Sequence, residues 1–379
     1  MLGEEAFDED AILKGIMEWA GVESPSNHVE GVNAMMDLAS GSLEELGAKI
    51  ERLPGQDSLG DVVIGRLGDA DGRTGDGILV LSHLDTVHEV GTLDDRLPIR
   101  REDDRVYGPG ILDMKGGARL GLEAAAALNG EGVATKLPVT FMFTSDEEIG
   151  SPSTRGRIED EAKKHKYILV PEPLRTTGDV VVGRHAIQRF FVRTHGQPSH
   201  AGLTKAQGNS AIARMASLIS EIESMTDYDR GTTYSVGTVH GGTFVNVVAI
   251  MCEAQVLCVA PTDELLAEVR TKMKSLEGEK NGVRVEVEQT ILRPIAPPHE
   301  KTMALYEKGK ALADEIGISF GHCLSGGGSD GNFTGALGLA TLDGLGVAGT
   351  GAHTFGEHLL VSSLVPRCRL LAGLLETLE

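Results

Sequence analysis

Acidic and imidazole side chains directly follow three apolar runs of the sequence. The first run, 77–82, is followed by His83-Leu84-Asp85. The second, 139–144, is followed by Ser145-Asp146-Glu147-Glu148, and the third, 167–170, by Pro171-Glu172. Imidazole and carboxylate groups are ligands of zinc and of other first-row divalent ions. Two such ions about 3.5–4 Å apart also need a shared anion to offset their repulsion. The residue types therefore predict a two-metal hydrolytic site.

Short apolar runs between polar turns predict strands that are buried on both faces, as in a parallel sheet covered by helices. The alanine-rich stretch from Gly116 to Asn129 has the composition of a helix between two of these strands. Ligands of such sheets bind outside the carboxyl ends of the strands. We therefore expect the α/β fold class, with a mostly parallel sheet flanked by helices and the site at one edge of that sheet.

A second, smaller domain is predicted within the chain. From about Val181 to Leu292 the pattern becomes strand, helix, strand, strand, helix, strand, and it includes a predicted strand from Val245 to Val259. This βαββαβ order is typical of a ferredoxin-like α+β unit. We predict a catalytic metal-binding domain formed by residues 1–180 and 294–379, and an inserted domain formed by residues 181–293.

Composition excludes several classes of partner. The 379 residues include 35 basic and 56 acidic side chains, for a formal charge of -21, which argues against binding to nucleic acid or to an anionic membrane. No stretch approaches the roughly 18 apolar residues of a membrane-spanning helix, and the acidic first ten residues do not resemble a signal peptide. A cytoplasmic location is expected. The four cysteines show no paired CxxC spacing, so a thiolate metal site is not predicted.

Each segment allows a simpler interpretation when it is taken alone. His83 and Asp85 share one face of a strand, so the carboxylate can accept the second ring N–H, as in a purely structural pair. Asp113 precedes two glycines at the start of a helix, where it can cap the helix or lie between two cations. The acidic triplet 146–148 is typical of an exposed turn, but neighbouring carboxylates can also serve separately as metal ligand and general base.

Two further residues complete the predicted set. Glu172 lies between two prolines, which stiffen the backbone at a strand end. His353 lies in the glycine-rich segment 349–357, where a single histidine is more typical of a loop than of a metal site. Together with the residues above, they give a nitrogen and oxygen ligand set that suits two divalent ions, zinc first, with cobalt or manganese as alternatives.

Five motifs occur in an order that resembles the dinuclear zinc aminoacylase and carboxypeptidase family, which includes acetylornithine deacetylase, succinyl-diaminopimelate desuccinylase and glutamate carboxypeptidase. The motifs are SHLDTV from Ser82, GPGILDMKGG from Gly108, TSDEEIGS from Thr144, PEP from Pro171 and GTGAHTFGE from Gly349. The resemblance covers nearly the whole chain. It implies a mechanism in which a hydroxide that bridges the two metals attacks an amide carbonyl.

The resemblance also implies a role for each predicted site residue. His83 and Glu172 would hold one zinc, Glu148 and His353 the other, and Asp113 would bridge both. The two remaining roles in the large domain are those of Asp85, which would orient His83, and of Glu147, which would be the general base.

Further implications concern the inserted domain, which serves the family as a lid and dimerisation domain. His200 would donate a hydrogen bond in the active site of the partner subunit of a homodimer, and Asn246 would contact substrate. Many relatives end the strand after that Asn with an acid, an aliphatic residue and an Arg that binds a substrate carboxylate, whereas this chain has Cys258, Val259 and Ala260 there. The loop with Gly327, Gly328 and Ser329 either binds an anion through its backbone N–H groups or is a flexible turn.

The sequence therefore predicts a metal-dependent hydrolase that cleaves the amide bond of a small N-acyl amino acid, a short peptide or a related amide. One alternative is an aminohydrolase or deaminase with the same dinuclear site. The other is a non-catalytic binding protein on this fold. Neither the acyl group, the amine nor the native metal follows from the sequence.

Overall fold

The structure is a computed structural model that describes residues 1–68 and 77–379. It divides into two compact units. The first comprises Met1–Gly183, Ala296–Leu324 and Ser329–Glu379, and the second comprises Arg184–Ile295 and Ser325–Gly328. Each unit contains its own β-sheet and its own hydrophobic core.

Helices and strands alternate along most of the described chain. The helices are α1 (Glu9–Ala20), α2 (Val29–Glu45), α3 (Thr92–Asp95), α4 (Gly116–Gly130), α5 (Arg155–Ala162), α6 (Ala211–Glu223), α7 (Asp263–Lys274), α8 (Glu300–Ile316), α9 (Gly331–Ala336) and α10 (Leu364–Thr377). The strands are β1 (Lys49–Leu53), β2 (Val62–Leu67), β3 (Gly77–His83), β4 (Arg100–Glu102), β5 (Arg105–Tyr107), β6 (Val139–Thr144), β7 (His165–Val170), β8 (Asp179–Arg184), β9 (Ala186–His195), β10 (Thr233–Gly241), β11 (Met251–Ala260), β12 (Gly278–Lys280), β13 (Val283–Arg293), β14 (Gly321–Ser325), β15 (Ala340–Asp343), β16 (Gly349–Thr350) and β17 (His358–Leu360).

The central sheet of the first unit has eight strands in the described residues, in the order β1-β2-β6-β3-β7-β15-β8-β14. Its middle strands β6, β3, β7 and β15 pair in parallel. β2 pairs antiparallel with β6, and β8 pairs antiparallel with β15. The carboxyl ends of β6, β3 and β7 therefore lie together at one edge.

Alternate residues of the middle strands pack into cores on opposite faces of this sheet. In β3, Ile78 and Val80 belong to the larger core, whereas Leu79 and Leu81 belong to a separate core on the other face. Both sets are fully buried because helices cover both faces. This explains why the strand sequences are continuously apolar instead of alternating.

A small four-stranded antiparallel sheet, β16-β17-β5-β4, belongs to the same unit. β17 pairs antiparallel with β5 and with β16. The hairpin of β16 and β17 is therefore attached to the strand that leads into the segment 108–115.

The second unit contains an antiparallel sheet in the order β10-β11-β9-β13-β12. Alternate residues of β9, β11 and β13 are buried with α6 and α7 in one core. The predicted βαββαβ order is observed, with the short strand β12 added. One boundary was wrong: β11 begins at Met251 instead of Val245, because Val245 and Asn246 form an exposed turn.

The predicted fold class is confirmed by the mostly parallel sheet between helices and by the smaller α+β unit. Among the helices that the structure describes, each is too short or too polar to cross a membrane.

Candidate metal centre

Three neighbouring parallel strands end at one edge of the central sheet, and each precedes a predicted ligand. His83 is the last residue of β3, Glu148 follows β6, and Glu172 follows β7. His83 lies opposite Thr144, the last residue of β6. Because β3 pairs in parallel with both β6 and β7, the strand register brings the three side chains to the same edge.

Asp113 and His353 are carried by the segments that adjoin the small sheet. Asp113 lies in the turn Ile111–Lys115, where its dihedral angles (φ -116°, ψ 98°) are not helical, and the peptide bond that follows it is cis. His353 lies in the loop between β16 and β17, with a φ of 63°. The pairing of β5 with β17 places both segments on one small sheet.

A glycine permits the start of α4 to lie against the Glu172 segment. Gly117 is in the first turn of α4, shortly after Asp113. A Cβ atom at this position would overlap the carbonyl oxygen of Pro171. Glycine therefore allows the two backbones to touch, which brings the Asp113 turn close to Glu172.

The two oxygens of Asp113 face different histidines. Oδ1 lies 3.2 Å from Nε2 of His83, and Oδ2 lies 3.3 Å from Nε2 of His353. Each histidine also has a further carboxylate: Glu172 Oε1 is 3.8 Å from Nε2 of His83, and Glu148 Oε2 is 3.1 Å from Nε2 of His353. The five predicted ligands are thus brought together as two histidine and carboxylate pairs on either side of Asp113.

The histidines and Asp113 stabilise one another's charge. Hydrogen bonds with Asp113 and Glu148 raise the pKa of His353 to about 11. Burial opposes a charge on the His83 ring, but the contacts with Asp113 and Asp85 outweigh it and raise the His83 pKa well above its ordinary value. Burial also opposes a charge on Asp113, yet the two histidines hold the pKa of that carboxyl well below its usual range.

The other carboxyl groups experience the opposite effect. Burial raises the pKa of Glu148 to about 8, and the charge of Asp113 adds to the rise. Burial and the charge of Asp113 likewise raise the pKa of Glu172 well above its ordinary value. In the described part of the chain, His83, Asp113 and Glu148 offer ligand atoms that lie within 4.8 Å of one another. Mutually repelling buried carboxylates beside imidazoles are a donor set that fits divalent cations.

Asp85 lies beside His83, but its carboxylate mainly contacts the segment after β6. Nδ1 of His83 is 3.0 Å from the carbonyl oxygen of Asp85 and 3.5 Å from its Oδ1. The fully buried carboxylate accepts hydrogen bonds from the backbone N–H groups of Glu147 and Glu148, both at 3.1 Å, and from the hydroxyl of Ser26 at 2.6 Å. Asp85 therefore contacts the backbone of the predicted base as well as the predicted ligand.

Two residues near the centre were missed by the sequence reasoning. Glu357 is buried and accepts hydrogen bonds from the backbone N–H groups of Gly110, Leu112 and Asp113. His88, also buried, has its Nε2 2.6 Å from Oε2 of Glu357. Glu357 is the last residue of the motif that begins at Gly349, and His88 directly follows the motif that begins at Ser82. Their positions beside the predicted ligands were the signal in the sequence that could have identified them.

In the second unit, His200 and Asn246 are exposed and lie on adjacent segments. His200 forms an isolated bridge with Val247, and the N–H of Ala201 donates to the carbonyl oxygen of Asn246 at 2.9 Å. Nδ1 of His200 accepts from two backbone N–H groups, at 3.2 and 3.1 Å. The neutral ring therefore carries its proton on Nε2.

The predicted glycine loop is divided between the two units. Gly327 and Gly328 belong to the second, where their carbonyl oxygens accept from Nη1 of Arg184 at 2.8 and 2.9 Å. Ser329 belongs to the first, and its buried hydroxyl donates to Asp343 at 2.6 Å. Its substrate-binding role remains a prediction.

Known proteins resemble this chain over most of its length. Among curated proteins, the chain is 28% identical over 380 residues to carboxypeptidase G2 of Pseudomonas sp. (strain RS-16), covering 98% of this chain and 90% of that protein. It is 26% identical over 339 residues to succinyl-diaminopimelate desuccinylase of Acinetobacter baumannii (strain AYE), covering 83% and 88% respectively. The crystal structure of aminopeptidase PepT from Bacillus cereus ATCC 10987 shares the fold, with a TM-score of 0.71, 23% identity and coverage of 98% of this chain and 99% of that one.

The family model described as Peptidase family M20/M25/M40 matches residues 79–377. The match includes all five motifs and every residue of the candidate centre. It confirms the resemblance that the motifs indicated, and the chain belongs to peptidase family M20/M25/M40.

Proposed function

We propose that this chain is a two-metal hydrolase that cleaves the amide bond of a small N-acyl amino acid, a short peptide or a related amide. The main support for the proposal is that the two carboxylate oxygens of Asp113 face different histidines. One oxygen lies 3.2 Å from Nε2 of His83, and the other lies 3.3 Å from Nε2 of His353. A carboxylate that faces two imidazoles from opposite oxygens is suited to bridge two cations.

The ligand assignment follows from the same contacts. His83 and Glu172 would hold one ion, and His353 and Glu148 the other, with Asp113 shared. Two divalent ions, zinc first and cobalt or manganese as alternatives, would supply a Lewis acid that polarises the amide carbonyl and makes water more acidic.

Glu147 is the group that we assign as general base. Its Oε2 lies 4.0 Å from Nε2 of His83, and the side chain is buried. Its backbone N–H is fixed by Asp85. In this position Glu147 would take a proton from the attacking water and deliver it to the leaving nitrogen.

His200 is assigned as a hydrogen-bond donor to the oxygen that gains negative charge. Because its Nδ1 accepts from backbone N–H groups, its exposed Nε2 carries the proton that such a donor needs. The family resemblance supports a role across a homodimer interface. The dimer, the substrate contact of Asn246 and the cytoplasmic location remain proposals.

The test is the Glu147→Gln variant, which keeps the size of the side chain but removes its basicity. We expect kcat for acyl amino acids and dipeptides, assayed with zinc, cobalt or manganese, to fall by about 10²–10⁴-fold while the metal content stays at two ions. Glu147→Asp, which keeps a carboxylate, should retain more activity than Glu147→Gln. Unchanged turnover in Glu147→Gln would refute the assignment, and a wild-type chain that binds no divalent ion would refute the two-metal proposal.

An aminohydrolase is the second candidate, and one observation favours it. Ala260, the last residue of β11, stands where many relatives carry an Arg that binds a substrate carboxylate, and it is buried in the core of the second unit. That position therefore supplies no cation for a substrate carboxylate. Release of ammonia from an amidine or ureide substrate would favour this candidate, whereas release of an amino acid from an acyl amino acid would exclude it as the main activity.

A further inference from the structure

Glu357 is a buried carboxylate, 1% exposed, four residues after His353. Its Oε1 accepts from the backbone N–H of Leu112 at 2.9 Å and of Asp113 at 3.1 Å. Its Oε2 accepts from the N–H of Gly110 at 3.2 Å and lies 2.6 Å from Nε2 of His88. A single side chain therefore contacts three N–H groups of the turn that carries the central aspartate.

We propose that Glu357, aligned by His88, is a positioning residue that holds the backbone of Asp113 so that its two carboxylate oxygens face separate metal sites. The inference rests on the proposed two-metal function, and it adds a residue to which neither the motifs nor the comparisons give a role. Glu357 itself faces the backbone of Asp113 and does not touch the reacting atoms.

The local conformation explains why such support is needed. Asp113 has extended dihedral angles inside a tight turn, so its N–H cannot be satisfied by the regular bonding of a helix. Gly110 starts the turn in the left-handed region, with a φ of 67°. A buried N–H without an acceptor is costly, and a charged acceptor gives the strongest hydrogen bonds. Glu357 supplies that acceptor for Asp113 and, before it in the turn, for Gly110 and Leu112.

The same contact links two predicted ligands. Glu357 and His353 belong to one loop between β16 and β17, and the N–H of Glu357 donates to the carbonyl oxygen of Thr354 at 3.2 Å. Holding the Asp113 turn with Glu357 therefore fixes the distance between Asp113 and His353. The partner His88 follows β3, so the pair also ties this loop to the segment that begins with His83.

The test compares two buried glutamate and histidine pairs of the same unit. Glu357→Gln keeps one acceptor oxygen but places an NH₂ group against the N–H of Gly110 and the His88 ring, or against the N–H groups of Leu112 and Asp113. The matched control is Glu161→Gln: Glu161 is 3% exposed, lies 3.0 Å from His165 Nε2 and also binds Arg66. Both variants replace a buried carboxylate that contacts a histidine.

Metal-stripped wild type and variants are titrated with Co²⁺ while visible absorption is followed, and the thermal unfolding of each metal-free protein is measured. We expect both variants to lower Tm, and only Glu357→Gln to weaken Co²⁺ affinity, by about 10–100-fold. His88→Gln, whose amide can still donate to Glu357, should bind Co²⁺ more tightly than His88→Leu. The two His88 variants also test the positioning role if Glu357→Gln does not fold.

Three results would overturn the positioning role. The first is an unchanged Co²⁺ affinity of Glu357→Gln, and the second is an equal loss of Co²⁺ affinity in Glu161→Gln and Glu357→Gln. The third is an equal Co²⁺ affinity of the two His88 variants. These results differ from a failure of the proposed function. If the two-metal proposal is wrong, wild type itself does not take up two Co²⁺ ions. If only the positioning role is wrong, wild type binds two ions and the Glu357 variant binds them equally well.

Discussion

Replacing Asp85 with Asn tests whether its carboxylate sets the position of the predicted base. The carboxylate is fully buried and accepts from Ser26 Oγ at 2.6 Å and from the N–H groups of Glu147 and Glu148, both at 3.1 Å. An asparagine has one acceptor oxygen in place of two, so its NH₂ group must face at least one of these donors. The segment after β6 then has to move away.

The size of the effect follows from the three contacts. A hydrogen bond to a charged group contributes about 1.5–3 kcal/mol and a neutral one about 0.5–1.5 kcal/mol, so Asp85→Asn loses one strong bond and weakens two others. Removing a buried charge offsets part of this loss. We expect the free energy of unfolding to fall by about 3 kcal/mol. A shift of about 1 Å in Glu147 would lower kcat by about 100-fold.

The assay measures kcat at saturating metal and, separately, urea unfolding of the metal-free protein. Ser26→Ala is the control, because it removes the shortest bond of Asp85 but leaves the bonds to Glu147 and Glu148 intact. It should lower stability by about 1–2 kcal/mol with kcat within a few-fold of wild type. If Asp85→Asn has the turnover of Ser26→Ala at full metal occupancy, the carboxylate does not position Glu147 and the reasoning fails.

Two other predictions concern protonation and the second unit. In the metal-free protein the pKa values of His353 (about 11) and Glu148 (about 8) lie above their ordinary 6.5 and 4.5, so the folded state binds protons that the unfolded chain releases. The free energy of unfolding measured with a chelator should therefore fall as pH rises from 6.5 to 8. Excess zinc should reverse this trend, because the ligands must lose protons before they bind the metal. A free energy of unfolding that does not change with pH in the presence of the chelator would contradict this prediction. His200→Ala should lower kcat by about 100-fold with little change in Tm, since the ring is exposed, and wild-type turnover would exclude a role for its Nε2.

The ends of the buried strands were predictable because the apolar run and the polar residue that ends it are neighbours in the sequence. A continuous apolar run followed by an acidic or imidazole residue indicates both the strand and the edge where it ends, as at His83 and Glu172. Family membership and the class of enzyme, a hydrolase of amide bonds, are confirmed on the same motifs. The individual roles of these residues remain predictions.

Whether an apolar segment is buried or exposed was harder to predict from the sequence. The stretch from Val245 to Ile250 is rich in β-branched and apolar residues, which favour a strand, yet Val245 is fully exposed and β11 begins only at Met251. An apolar pattern shows that a segment can be buried, but the neighbouring elements determine whether it is. The sequence carries no direct record of that packing.

The supporting carboxylates could not be predicted because their partners are backbone groups far away in the chain. Glu357 binds N–H groups about 245 positions earlier, and every residue type except proline offers such a group. Asp330 similarly accepts from the hydroxyls of Thr144 and Ser151, on either side of Glu148. In the sequence, each of these acids looks like a surface residue.

These supporting carboxylates affect the centre through their charge as well as through their geometry. Asp85 and Glu357 are held largely by N–H and O–H donors, which stabilise a carboxylate without neutralising it. Lys115 is a nearby buried cation, but burial lowers its pKa to about 7, so it offsets their charge only partly. The negative charges of Asp85 and Glu357 would favour a divalent cation over an anion between His83 and His353. Burying so many carboxylates costs stability, and a bound divalent cation would offset part of that cost.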